Sequence, residues 1–81
     1  MSEDTDTALR GLAALEAGGW DAAHDIAQAG RGEACAWLHA HLHRVEGDAG
    51  NAAYWYARAG RAPFAGGVTE ERGAMRAAFA R

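Results

Sequence analysis

Apolar residues recur along this chain every three or four positions, in short blocks that end at glycine. A helix turns 100° per residue, so this spacing gathers apolar side chains on one face. In "TDTALRGLAALEAGG", Leu9, Leu12 and Leu15 form such a stripe behind Asp6 or Thr7 as a cap, and Gly18-Gly19 ends it. "WDAAHDIAQAG" is a second, shorter block closed by Gly30. "GEACAWLHAHLHRVEG" is a third, stopped by Gly47; Asp48 then caps "AGNAAYWYARAG", which runs to Gly60. Pro63 and Gly66-Gly67 make a loop, and Thr69 with Glu70 and Glu71 opens a last helix through Phe79. The joining turns are very short, so neighbouring helices must run antiparallel. The expectation is one all-α domain of two antiparallel hairpins and a C-terminal capping helix. Residues 1–6 are expected to be frayed, with hairpins over 7–30 and 32–60 and the capping helix over 69–80.

Composition sharpens this picture. Of the 81 residues, 22 are alanine, and large apolar side chains are few. Alanine costs least in a helix and lets backbones approach, whereas sheets draw on β-branched and aromatic residues that are scarce here. The formal charge of −3 argues against nucleic acid or an anionic membrane as partner. No apolar run approaches the ~20 residues that cross a bilayer. The acidic "SEDTDT" start is the opposite of a signal peptide's basic one. Cys35 is the single cysteine, which excludes an internal disulfide and suits a reducing compartment; the expected location is cytoplasmic.

Residues 16–31 and 46–61 form an internal repeat at an offset of 30, with identity at 7 of 16 positions. The second hairpin carries Ala40 and His43, a Gly47-Asp48 turn, then Ala52, Trp55 and Ala59, with Pro63 following. On those residues it resembles a tetratricopeptide repeat unit, closely over 34–63 and loosely in the first hairpin. It departs at His39 and His43, where that family usually has apolar or aromatic side chains. The string "WLHAHLHRVEGDAGNAAYWYARAG" is also similar to a group of small bacterial proteins, a likeness that implies no function. The tetratricopeptide resemblance implies a concave groove lined by the first helix of each pair, and so by Trp37, His41 and Arg44. A ring, an imidazole and a guanidinium suit an acidic peptide or a free carboxylate. Tyr54 cannot share a face with Trp55 and Tyr56, both expected in the core, so it either meets the first hairpin or marks an exposed patch.

The histidines offer a different chemistry. His39 and His43 are four apart and Glu46 lies three beyond, so all three share a flank of their helix. With His24 from the other hairpin they make a four-residue set suited to zinc, or to iron if more oxygen ligands join. The competing reading is structural: rings packed between helices, their nitrogens bonded to Tyr54, Tyr56 or a carbonyl. Cys35 beside Leu38 and Leu42 reads as a small buried hydrophobe. Asp21/Asp25 and Glu70/Glu71 read as helix-start charges that favour the dipole. No phosphate-cradling glycine loop exists, and Ser2 is the sole serine, so no serine triad can form. The leading expectation is therefore non-enzymatic: a helical module for protein–protein interaction, with Trp37, His41, Arg44 and Tyr54 as contacts and a homodimer as one way to extend a short array. The alternative is a metal- or small-ligand-binding protein centred on His24, His39, His43 and Glu46.

Overall fold

Residues 33–46 form the helix around which the rest of the molecule is built. The computed structural model describes residues 2–81 and holds five helices: α1 (Glu3–Glu16), α2 (Trp20–Ala29), α3 (Glu33–Glu46), α4 (Ala49–Arg58) and α5 (Val68–Phe79). Helices α1 and α2 make one hairpin, α3 and α4 the other, and α5 closes across α1 and α3. No strand forms and no helix is long and apolar enough to cross a membrane among the described residues. All four other helices touch α3, so every side chain from Cys35 to His43 is buried, polar ones included. An amphipathic surface helix buries one stripe; a helix enclosed on all sides must find partners for its polar groups.

Small residues set the spacing of these elements. At Gly11 a Cβ would come within 2.5 Å of Leu38 Cδ2, so the Leu38 side chain occupies the space that the missing side chain leaves between α1 and α3. The α3–α4 turn is closed by Gly47 at φ 88°, and the Asp48 amide donates to His43 O at 2.8 Å. Asp48 caps α4 as expected, accepting from the Asn51 amide at 3.1 Å and its side-chain Nδ2 at 2.9 Å.

The N-terminus differs from the expectation of a frayed segment, apart from Met1, which lies outside the described residues. Helix α1 starts at Glu3, not after Asp6 or Thr7, because Ser2 and Thr5 form a reciprocal capping box. A second tether holds the same turn. Gly32, at the start of α3, has no side chain to cap it, and Asp4 supplies the missing acceptor from α1. Asp4 Oδ2 takes the Ala34 amide at 2.8 Å, and Oδ1 takes the Cys35 amide at 3.2 Å. Cys35 is fully buried as expected, and burial, followed by the Asp4 contact, pushes its thiol up to about 12. In α4, Tyr56 is core whereas Trp55 is only half-buried, because its ring lies over the His39 imidazole at the edge of the hairpin.

Candidate metal centre

The two faces of α3 present two polar assemblies. On the first, Trp37, His41 and Arg44 do converge on a carboxylate, and it is the chain's own. Glu71, fully buried in the first turn of α5, receives Trp37 Nε1 at 2.9 Å and the Tyr56 hydroxyl at 2.5 Å on Oε2. On Oε1 it receives His41 Nδ1 at 2.5 Å and Arg44 at 3.0 Å. Arg72 Nε donates to His41 Nε2 at 3.0 Å, so His41 carries its proton on Nδ1 and accepts at Nε2. Burial alone would raise the Glu71 pKa; hydrogen bonds from His41, Tyr56 and Trp37 outweigh it and hold the carboxyl at about 2. Burial, then Glu71, pushes the Tyr56 hydroxyl up to about 12. Trp37 and His41 therefore face α5 and not an open groove, and the Arg61 guanidinium covers the Trp37 ring at 3.5 Å. Glu71 is therefore not the helix-start charge that its position suggests; its neighbour Glu70 fills that role by accepting the Gly67 amide at 3.1 Å. One signal was present: Glu71, Met75 and Phe79 recur at four-residue spacing, which places Glu71 on the buried stripe of α5.

On the second face, the imidazoles of His24, His39 and His43 converge. His39 and His43 are one turn apart on α3, and α2 brings His24 over them. Ring centroids lie 4.6 Å apart for His24 and His39, 4.9 Å for His39 and His43, and 5.4 Å for His24 and His43. One ring nitrogen from each lies within 4.8 Å of the others. Two tryptophans wall the group. Trp55 stacks on His39 at 3.8 Å, and Trp20 stacks on His24 at 5.0 Å while its Nε1 donates to Leu42 O at 2.9 Å.

His39 is the unusual member. It is 3% exposed and its Nδ1 is buried with no hydrogen-bond partner. Buried polar nitrogens are nearly always paired, so an orphan requires a specific explanation, a bound ion or water being one. Burial, followed by the neighbouring His24 and His43, lowers its pKa to about 4, which keeps the ring neutral and its lone pair available near neutral pH. The tyrosines that the structural reading supplied as partners are engaged elsewhere: Tyr56 with Glu71, and Tyr54 with Arg58 at 2.9 Å.

Glu46 falls outside the imidazole trio. Its Oε1 lies 3.2 Å from His43 Nδ1, so it orients that ring and leaves Nε2 free, a carboxylate–histidine pairing common behind metal ligands. His43, Glu46 and Asp48 also approach one another, but Asp48 spends both oxygens on Asn51. Tetrahedral zinc at about 2.0–2.1 Å from each nitrogen sets ligand nitrogens about 3.3 Å apart. The ligand nitrogens of the trio lie within 4.8 Å of one another, and His24, half-buried on the shorter helix, is the least enclosed of the three. Three imidazoles without a thiolate suit zinc and its nitrogen-preferring neighbours; iron would want more oxygen than the trio offers.

Comparison of the chain with known protein families, with curated proteins and with solved structures finds no match.

Proposed function

We propose that this chain is a small metal-binding helical protein that holds one zinc-class divalent ion on His24, His39 and His43. The observation that carries this reading is the convergence of three imidazoles, one of which, His39, keeps a buried Nδ1 with no hydrogen-bond partner. A structural role for the rings accounts for their packing but leaves that nitrogen without a partner. Glu46 acts behind His43 as the orienting carboxylate. The test is elemental analysis of protein purified without an affinity tag, together with a zinc titration at neutral pH. Stoichiometric metal that is lost in a His39→Ala/His43→Ala double variant supports the reading; no metal and no stabilisation by zinc sinks it.

A second reading, a helical module for protein–protein interaction, is favoured by Tyr54. That ring is 53% exposed, and Arg58 lies 5.8 Å from its centroid. An amphipathic ring held out by a cation is a usual contact for a protein surface. Light scattering of wild-type and Tyr54→Ala protein tests self-association through this face: a dimer that becomes a monomer supports it, and monomers in both cases remove the homodimer.

A further inference from the structure

Two clefts meet at the turn between α2 and α3, sharing Gly30, Arg31 and Gly32. The turn is tightly built. A Cβ on Gly30 would lie 2.3 Å from Cys35 Sγ, and one on Gly32 would lie 2.2 Å from Asp4 Cγ. Neither position has room for a side chain as packed, and Arg31 between them is exposed. The cleft toward α1, about 660 Å³, takes Arg10 but also Glu3 and Asp4. The cleft toward α4, about 360 Å³, is lined by Gln28, Arg31, Trp55 and Arg58 with the turn glycines and Ala36, and no carboxylate reaches it.

That second lining is unusual for this molecule. The chain carries a net charge of −3, yet two arginines line one cleft with no acidic residue in its lining. Among the described residues neither Arg31 nor Arg58 forms an ion pair; arginine pairs are made by Arg44 and Arg76. Arg58 is also positioned: its guanidinium lies 5.3 Å from the Trp55 centroid and donates to the Tyr54 hydroxyl at 2.9 Å. The cation–π contact consumes no N–H and the bond to Tyr54 uses one, which leaves further N–H groups free. Like charges around one cavity focus a positive potential, and planar guanidinia match the oxygens of a phosphoryl group. The volume falls in the range of small-ligand pockets, roughly 300–1,000 Å³.

We propose that the cleft between the α2–α3 turn and the end of α4 binds a small phosphate-bearing anion. Arg31 and Arg58 are its anchors, the Gln28 amide is a further donor, and the Trp55 edge is its apolar wall. This site is separate from the imidazole trio and shares only Trp55 with it, so it is tested on metal-free protein.

The experiment is a titration of ¹⁵N-labelled protein followed by NMR, with inorganic phosphate and adenosine monophosphate as parallel probes and sodium chloride at matched ionic strength. Saturable shifts at the Gly30, Arg31 and Gly32 amides and the Trp55 indole are expected. Arg31→Gln and Arg58→Gln should each weaken binding by about tenfold, the loss of one charge-assisted contact. Both side chains are exposed, so the variants should keep the wild-type circular dichroism. Equal affinity for both probes assigns recognition to the phosphate itself; tighter binding of the nucleotide assigns a ring-bearing phosphomonoester. Either result supports the site. Shifts reproduced by chloride, no saturable shift with either probe, or undiminished affinity in the double variant overturns it.

Discussion

The indole nitrogen of Trp37 donates to the Glu71 carboxylate at 2.9 Å, joining residues 34 positions apart and fastening α5 to the central helix. The same carboxylate collects His41, Arg44 and Tyr56, so a single acidic side chain satisfies donors from two helices. Removing it would leave a buried indole, hydroxyl and imidazole without an acceptor beside a partly buried guanidinium. Breaking such a set from one side costs about 3–5 kcal/mol, a large share of the ~5–15 kcal/mol that holds a small domain together. Glu71→Ala is therefore expected to unfold in urea at a far lower midpoint than wild type. Arg44→Ala, which removes one of the four Glu71 donors, partly exposed, and a bond to the Gly66 carbonyl, should lose less. Equal midpoints for Glu71→Ala and wild type would show that the network contributes no stability.

Two buried groups shape the acid response, in adjoining windows. His39 has its folded pKa depressed from 6.5 to about 4. Its contribution is present above the unfolded value and is lost as pH falls from about 6.5 to about 4, because the unfolded chain takes up the proton first. Glu71 is depressed from 4.5 to about 2, so its contribution is lost in a lower window, between about 4.5 and 2. Each shift corresponds to roughly 3–4 kcal/mol at most. Stability measured by denaturant between pH 8 and pH 3 should fall in two steps. His39→Phe should abolish the upper step and leave the lower one. A single step, or an upper step that survives in His39→Phe, would remove His39 as its source.

The contrast between His39 and Glu71 shows what the pattern of residues can carry. His24, His39 and His43 were readable because helical spacing places two of them on one flank and the hairpin repeat brings the third alongside. Trp37, His41 and Arg44 were readable as a carboxylate-binding set for the same reason. What supplies the carboxylate was not, since Glu71 sits next to Glu70 in a helix's first turn, where acids are ordinary. Its burial follows from α5 folding back across α3, a tertiary event with no local signature beyond the spacing to Met75 and Phe79. Asp4 is a parallel case. A polar N-terminal segment reads as frayed, and only the uncapped start of α3, 30 residues away, gives its carboxylate a role.

That long-range cap makes its own prediction. Asp4→Ala should cost about 1 kcal/mol, the usual value of a helix cap, and raise amide exchange at Ala34 and Cys35. Gly32→Ala should cost more, because its Cβ would lie 2.2 Å from Asp4 Cγ and drive the carboxylate off those amides. The double variant Asp4→Ala/Gly32→Ala removes the clash together with the cap. It should therefore be no worse than Gly32→Ala alone, a non-additivity read directly by urea denaturation. Strict additivity of the two single changes would mean that Asp4 and Gly32 do not interact.

Zinc binding by the imidazole trio should appear as stabilisation that depends on metal concentration. At free zinc about 100 times the dissociation constant, linkage gives about 2.7 kcal/mol, a rise of roughly 10 °C or more in melting temperature for a domain of this size. The variants should divide by role. His39→Ala and His24→Ala each delete a ligand and should remove most of the shift. Glu46→Gln keeps every ligand but withdraws the carboxylate behind His43, so it should weaken affinity by about 10–100-fold while leaving saturation attainable. Replacing zinc with cobalt separates the cases further, since the visible spectrum reports coordination number directly. Glu46→Gln should keep the wild-type spectrum and shift only the concentration at which it saturates. If Glu46→Gln instead changes the cobalt spectrum as His24→Ala does, Glu46 is itself a ligand and the centre comprises three imidazoles and a carboxylate.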